Sequence, residues 1–180
     1  MRVITGKARG RKLLAVEGLD VRPTTQKVKE AVFSAIQFEV EGARVLDLFC
    51  GSGQMGIEAL SRGASFCVFV DEDRRSNEVA KHNLTVTGLF KEARVVRMDY
   101  LSFLTGSKDT FDIAFLDPPY SKGMAQQALP LLAEKMSDGG VILCEHEEQD
   151  LLPEEAGGFI RVKKYRYARI SVSAYRRKQG

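Results

Sequence analysis

The segment Asp117-Pro118-Pro119-Tyr120 carries residue types that can hold an exocyclic amine. Two consecutive prolines fix an extended backbone and leave carbonyls without competing local N–H donors. A carboxylate and a rigid carbonyl can together accept both hydrogens of an amino group, which leaves the nitrogen lone pair aimed at an electrophile. Tyr120 offers a flat face for a base taken out of its helix or loop. Asp-Pro-Pro alone is equally a strand-ending turn, so its meaning depends on what precedes it.

What precedes it is a glycine loop, Asp47-Leu48-Phe49-Cys50-Gly51-Ser52-Gly53-Gln54-Met55-Gly56. Glycines let the backbone turn sharply and let a ligand lie against it. Gly51-x-Gly53-x-x-Gly56 satisfies a dinucleotide fingerprint, and Asp71 lies at the distance of a ribose-binding acid. That spacing alone suits either a nicotinamide cofactor or S-adenosylmethionine, since both carry an adenosine. Asp47 separates them: a carboxylate before the glycines repels a pyrophosphate and attracts the amino group of a methionine moiety. Phe49, Gly51, Ser52 and Gly53 then form the cofactor loop. Asp71 can accept from both ribose hydroxyls, with Glu72 beside it, and Asp99, followed by Tyr100, can accept from an adenine amino group. Asp73 is equally suited to cap the next helix.

These residues need elements that bring them to one edge. Apolar runs predict strands at 44–48, 66–70, 94–97, 111–116 and 141–144, with helices at 55–62, 73–87, 100–104 and 123–136 between them. Continuous apolar strands alternating with helices imply an α/β fold, a mostly parallel sheet covered on both faces. Residues 159–164 and 168–175 read as an antiparallel hairpin at the end of the chain. At the start, alternation around Gly6 and Gly10 predicts a β-hairpin of 2–5 and 12–16. Arg22-Pro23-Thr24-Thr25 then opens a helix running to about residue 37, with Thr24 or Thr25 as its cap.

A chain of 180 residues with 44% hydrophobic and 28% charged residues suits a single globular domain and excludes disordered, collagen-like and coiled-coil classes. Cys50, Cys67 and Cys144 are widely spaced and odd in number, which fits reduced thiols. No Cys-x-x-Cys or His-x-x-x-His pair suggests a metal. A basic start without an apolar signal core points to a cytoplasmic protein. The net charge of +3 conceals an asymmetry: residues 1–30 sum to +5, residues 161–180 to +8 and the middle to −10. Two basic ends on one face would form a footprint for nucleic acid; the other reading is solvated tails. Arg2, Lys7, Arg9, Arg11, Lys12 and Arg22 are the candidate nucleic-acid contacts, with Thr24 and Thr25 beside them.

The order Asp47, Gly51-Ser52-Gly53, Asp71, Asp99, Asp117-Pro118-Pro119-Tyr120 resembles the class I S-adenosylmethionine-dependent methyltransferases that modify exocyclic amines of bases. More narrowly, Ile4 to Leu13, Arg22 to Thr25 and Val28 to Phe33 resemble the bacterial RsmD family. Tyr120 stands where many members have Phe, and either ring can stack. The resemblance implies a three-layer Rossmann-like fold with a seven-stranded sheet, whose last two strands come from the C-terminal hairpin. It implies an RNA-contacting extension at 1–40 and a methyltransferase domain at 41–180. It also implies transfer to N2 of a guanine in 16S ribosomal RNA, the family's position-966 guanine, as naked RNA or within a small-subunit particle. A DNA adenine-N6 or cytosine-N4 methyltransferase is the alternative that shares the Asp-Pro-Pro-Tyr chemistry.

Overall fold

A computed structural model describes residues 1–18, 25–120 and 122–180. Helix α1 (Gln26–Ala35) is followed by β1 (Arg44–Leu48), α2 (Gln54–Ser61), β2 (Phe66–Asp71), α3 (Arg74–Val86), β3 (Ala93–Arg97), α4 (Tyr100–Gly106) and β4 (Phe111–Leu116). Next come α5 (Met124–Ala133), β5 (Met136–Glu147), a two-residue β6 (Glu155–Ala156), β7 (Phe159–Tyr167) and β8 (Ile170–Arg177). The sheet order is β3-β2-β1-β4-β5-β8-β7-β6, parallel from β3 to β5 and antiparallel beyond. The eighth strand corrects the expected seven: Glu155 and Ala156 pair with Ile160 and Phe159 and extend the edge by one short ribbon.

Alternation along the strands divides the core into two layers. Val45 and Ile113 pack under α1, α2 and α3 with Phe33, Ile57 and Leu84. Leu46, Leu48, Leu116 and Cys144 face the other way, onto α4 and α5 with Phe103, Leu129 and Leu132. Asp47 lies between Leu46 and Leu48 and so belongs to the first face. The strand order reverses at β1, which has β2 on one side and β4 on the other, with Leu48 beside Leu116. This is a topological switch point, where open α/β sheets hold their ligands. Both chemistry-bearing loops leave the sheet there.

The expected N-terminal hairpin is not a pair of strands. Only Arg2 and Lys12 form a β-bridge. Val3 N–H donates to the Arg11 carbonyl, Gly10 N–H to that of Val3 and Leu13 N–H to that of Met1. The two arms do meet, but most of the donors between them go elsewhere. Ile4 and Thr5 N–H groups donate to the two carboxylate oxygens of Glu58 at 2.8 and 3.1 Å. Lys7 N–H donates to the Ser61 carbonyl and Ala8 N–H to its Oγ. The segment is therefore a strap across α2. Gly6 makes this approach possible: a Cβ there would sit 1.9 Å from the Ser61 carbonyl oxygen.

Strand β5 is longer at both ends than its apolar run. It starts at Met136, which pairs with Phe111 before a register shift, and it continues through polar Glu145, His146 and Glu147 because β8 pairs with them. No helix among the described residues is long and apolar enough to cross a membrane.

Candidate active site

At the end of β1, Asp47 is buried and its Oδ2 accepts the Gly56 N–H at 2.9 Å, tying the loop to the first turn of α2. Burial pushes its pKa up to about 7, opposed by that hydrogen bond and reinforced by Asp71. Phe49, Gly51 and Gly53 all have positive φ, so the loop winds tightly between strand and helix. Gly56 allows the helix to seat, because a Cβ there would lie 2.3 Å from the Phe69 ring.

Asp71, at the end of β2, accepts the Gly51 N–H at Oδ2 and the Asp73 N–H at Oδ1, each at 3.0 Å. One carboxylate thus joins two sheet-edge loops, and each oxygen keeps a second lone pair for a ligand. Burial raises its pKa as well. Asp73 caps α3 by accepting from Ser76 N–H.

Beside them, the Asp117 N–H donates to the Leu48 carbonyl at 3.5 Å, so the ends of β4 and β1 are held together. Asp117 is pushed well above the usual carboxylate range by burial, then by the negative charges of Glu145 and Asp47. The Tyr120 hydroxyl donates to Glu145 Oε1 at 3.2 Å.

These groups line one cavity of about 610 Å³, within the size range of small-molecule sites. Asp47, Phe49, Gly51, Ser52, Asp71, Glu72, Asp117, Pro118, Pro119 and Tyr120, all expected from the sequence, share it. Gly53 stands behind the wall as the left-handed N-cap of α2. Asp99 and Tyr100 lie outside the lining. Asp99 caps α4 by accepting the Ser102 N–H, and hydrogen bonds from the Ser102 hydroxyl and from that N–H hold its pKa low. Tyr100 packs its ring against Phe49, centroids 5.2 Å apart, and its hydroxyl donates to Gln127. Thr25 caps α1, accepting from Val28 N–H, while Arg22 and Thr24 fall outside the described residues.

Arg2, Lys7, Arg9, Arg11 and Lys12 are all exposed, and among the described residues none of them forms an ion pair. The C-terminal cations differ. Six of the eight (Arg161, Lys164, Arg166, Arg176, Arg177 and Lys178) pair with carboxylates of the acidic middle. The unpaired positive charge is thus richest on the N-terminal strap.

Two features were not read from the sequence. Met1, Ala15 and Val16 of the strap line the cavity, and Asn83 anchors that wall by donating to the carbonyls of Leu14 and Ser52 at 3.0 and 2.9 Å. Glu145 is the other. Its signal was available, since it follows the apolar end of β5 as Asp117 follows that of β4.

The family described as "Conserved hypothetical protein 95" matches residues 1–176. YlbH of Bacillus subtilis is 42% identical over 99% of this chain and all of its own length. Ribosomal RNA small subunit methyltransferase D of Escherichia coli is 36% identical, over 85% of this chain and 78% of its own. The chain belongs to the RsmD family. Its fold agrees: the solved structure of yhhF from Escherichia coli superposes with a TM-score of 0.89 at 32% identity, covering 100% of this chain and 99% of that one. The RsmD-family match begins at residue 1, so it includes the strap as well as the sheet.

The cavity fits an adenosine-bearing sulfonium ligand on its own terms. Gly51 lines it with no protein atom within 4 Å of a would-be Cβ, so a ligand can rest against the backbone. Asp47 and Asp71 offer carboxylates at its two strand ends, and Phe49 and Met1 offer apolar surface.

Proposed function

We propose that this protein transfers a methyl group from S-adenosylmethionine to the exocyclic N2 of a guanine in 16S ribosomal RNA, the family's position-966 guanine, in the cytoplasm. The observation that carries this reading is the meeting of Asp117-Pro118-Pro119-Tyr120 with the Asp47 glycine loop in one cavity at the switch point. The names of the ribosomal RNA methyltransferase relatives support an RNA substrate, naked or within a small-subunit particle. Residues 1–40 would act as the RNA-contacting extension of a methyltransferase domain spanning 41–180.

Asp47 would hold the amino group of the cofactor, Asp71 its ribose hydroxyls, and Phe49 and the Gly51 backbone its rings. S-adenosylmethionine, when bound, supplies a methyl group already activated by its positive sulfur, so neither a metal nor a covalent enzyme intermediate is required. The task of the chain is positioning and electrostatics. A guanine amine is a poor nucleophile because its lone pair is delocalised into the ring. Asp117 and the Pro118 carbonyl accept its two hydrogens and favour the pyramidal nitrogen that attacks. A carboxylate with a raised pKa is also a stronger base, which suits Asp117 to receive the proton late, as the nitrogen becomes positive. Tyr120 stacks on the base, and the exposed cations of the strap contact phosphates.

The test is to map methylated nucleotides in ribosomal RNA from cells with and without the protein. A single N2-methylguanine of small-subunit RNA should disappear with the gene and return with it. An unchanged map rules out the reading.

A further inference from the structure

We propose that Glu145 determines the choice of base, accepting a hydrogen bond from the ring N1–H of guanine while Asp117 accepts from the neighbouring amine. This rests on the guanine-N2 reading above and adds a residue to it. Leu116 and Cys144 are register partners on the parallel strands β4 and β5, and both point into the core layer beneath α4 and α5. The next residues, Asp117 and Glu145, therefore turn to the opposite face side by side, on strands about 4.8 Å apart. Both line the cavity, and Glu145 is the charged neighbour that most raises the Asp117 pKa. The Tyr120 hydroxyl, donating to Glu145 Oε1, restricts where that carboxylate can sit.

Two adjacent carboxylates suit one base edge. The Watson–Crick edge of guanine presents N1–H and the N2 amine next to each other, both donors. Adenine presents its amine beside an acceptor N1, and cytosine presents its amine beside an acceptor N3. Against either of these, Glu145 would place an oxygen lone pair against a ring lone pair. A buried site built to accept a hydrogen bond rejects an analogue that lacks the donor, because the site's own group is left unpaired.

Single-turnover methylation of small-subunit rRNA carrying guanine or 2-aminopurine at the target position tests this directly. 2-Aminopurine keeps the exocyclic amine but has an acceptor at N1. The wild type should favour guanine by ten- to a hundredfold. In Glu145→Gln, whose amide can donate, the preference should fall below about threefold. Tyr120→Phe, which removes the hydroxyl that steadies the Glu145 carboxylate, should lower the preference only part-way. A preference lost as fully there as in Glu145→Gln would make Glu145 a mere support for the ring and overturn the proposal. So would an undiminished preference in Glu145→Gln. If that variant does not fold, Glu145→Asp, which withdraws the carboxylate by one methylene, takes its place and should lower the preference likewise. Equal wild-type rates on the two bases contradict the role in either case. Failure of the wild type to form N2-methylguanine would instead sink the underlying reading and the proposal with it.

Discussion

Lys29 of α1 and Glu58 of α2 form an ion pair in which neither side chain has any solvent exposure, Nζ 3.4 Å from Oε1. The pair is more than a helix clamp. Lys29 Nζ also donates to the Arg2 carbonyl, and Arg62 Nε donates to Glu58 Oε2 at 2.9 Å. With Ile4 and Thr5 N–H groups on the same carboxylate, one buried anion collects two cations and two backbone donors. Burial lowers the Lys29 pKa, and Glu58 opposes that shift.

Removing one partner leaves an uncompensated buried charge, so Glu58→Ala should lose about 3–5 kcal/mol of stability. It should also release the strap that walls the cavity. Denaturant unfolding gives the first number. Limited proteolysis should show cleavage before residue 18 at denaturant concentrations that leave the sheet intact.

The second prediction concerns Asp47. Its folded-state pKa of about 7 lies above that of an unfolded aspartate, so the folded state binds the extra proton between these values. Its contribution to stability is therefore present at low pH and lost as pH rises towards 7. Asp47→Asn keeps an acceptor for Gly56 N–H and removes the buried charge. Above pH 7 it should stabilise the protein by roughly 1–4 kcal/mol, and near pH 4 it should be close to neutral. Its affinity for S-adenosylmethionine should fall in the same experiment series, measured by calorimetry. A variant that is no more stable at pH 8 than the wild type would show that the carboxyl is not strained by burial.

Neutralising Arg9, Arg11 and Lys12 together should weaken RNA binding and flatten its dependence on salt, because fewer counterions are released. Cofactor affinity should stay the same. An unchanged salt slope would return these side chains to ordinary solvated positions.

Much of the site was legible because its residues sit at ends of apolar runs. The strands at 44–48 and 111–116 stop where Asp47 is followed by the glycine loop and where Asp117 begins its motif, and the structure places them as neighbours. Other features depended on contacts distant in sequence. The donors of Ile4 and Thr5 are taken by Glu58 and those of Lys7 and Ala8 by Ser61, more than fifty residues on. The pairing that local alternation suggested is therefore confined to the arms around the Arg2–Lys12 bridge, and the turn between them is a strap on α2. The apolar run predicted a strand ending at residue 144, yet Glu145, His146 and Glu147 continue it because β8 pairs with them. Asp99 matched the order of acids at strand ends, but its carboxylate accepts a helix N–H and lies outside the cavity lining.

Tyr120 separates stacking from hydrogen bonding. Tyr120→Ala should lose about 1–3 kcal/mol of RNA binding, the usual worth of a base on an aromatic face. Tyr120→Phe should cost little, since the ring remains. Titrating RNA against both variants checks this, and equal losses would assign the effect to the hydroxyl and its bond to Glu145.

The most direct test of the account is the single-turnover rate of Asp117→Asn at saturating S-adenosylmethionine. Asparagine keeps the size but removes the charge and presents a donor in one orientation. The rate should fall by about 10²-fold or more, the scale of a positioned acid–base group, while cofactor affinity changes little. Because Asp117 titrates well above an ordinary carboxylate, the wild-type rate should climb with pH as the ionised form appears, and the variant should lose that limb. Methylation by Asp117→Asn at the wild-type rate, with the same pH profile, would reduce the Asp-Pro-Pro-Tyr segment to a turn and contradict the mechanism.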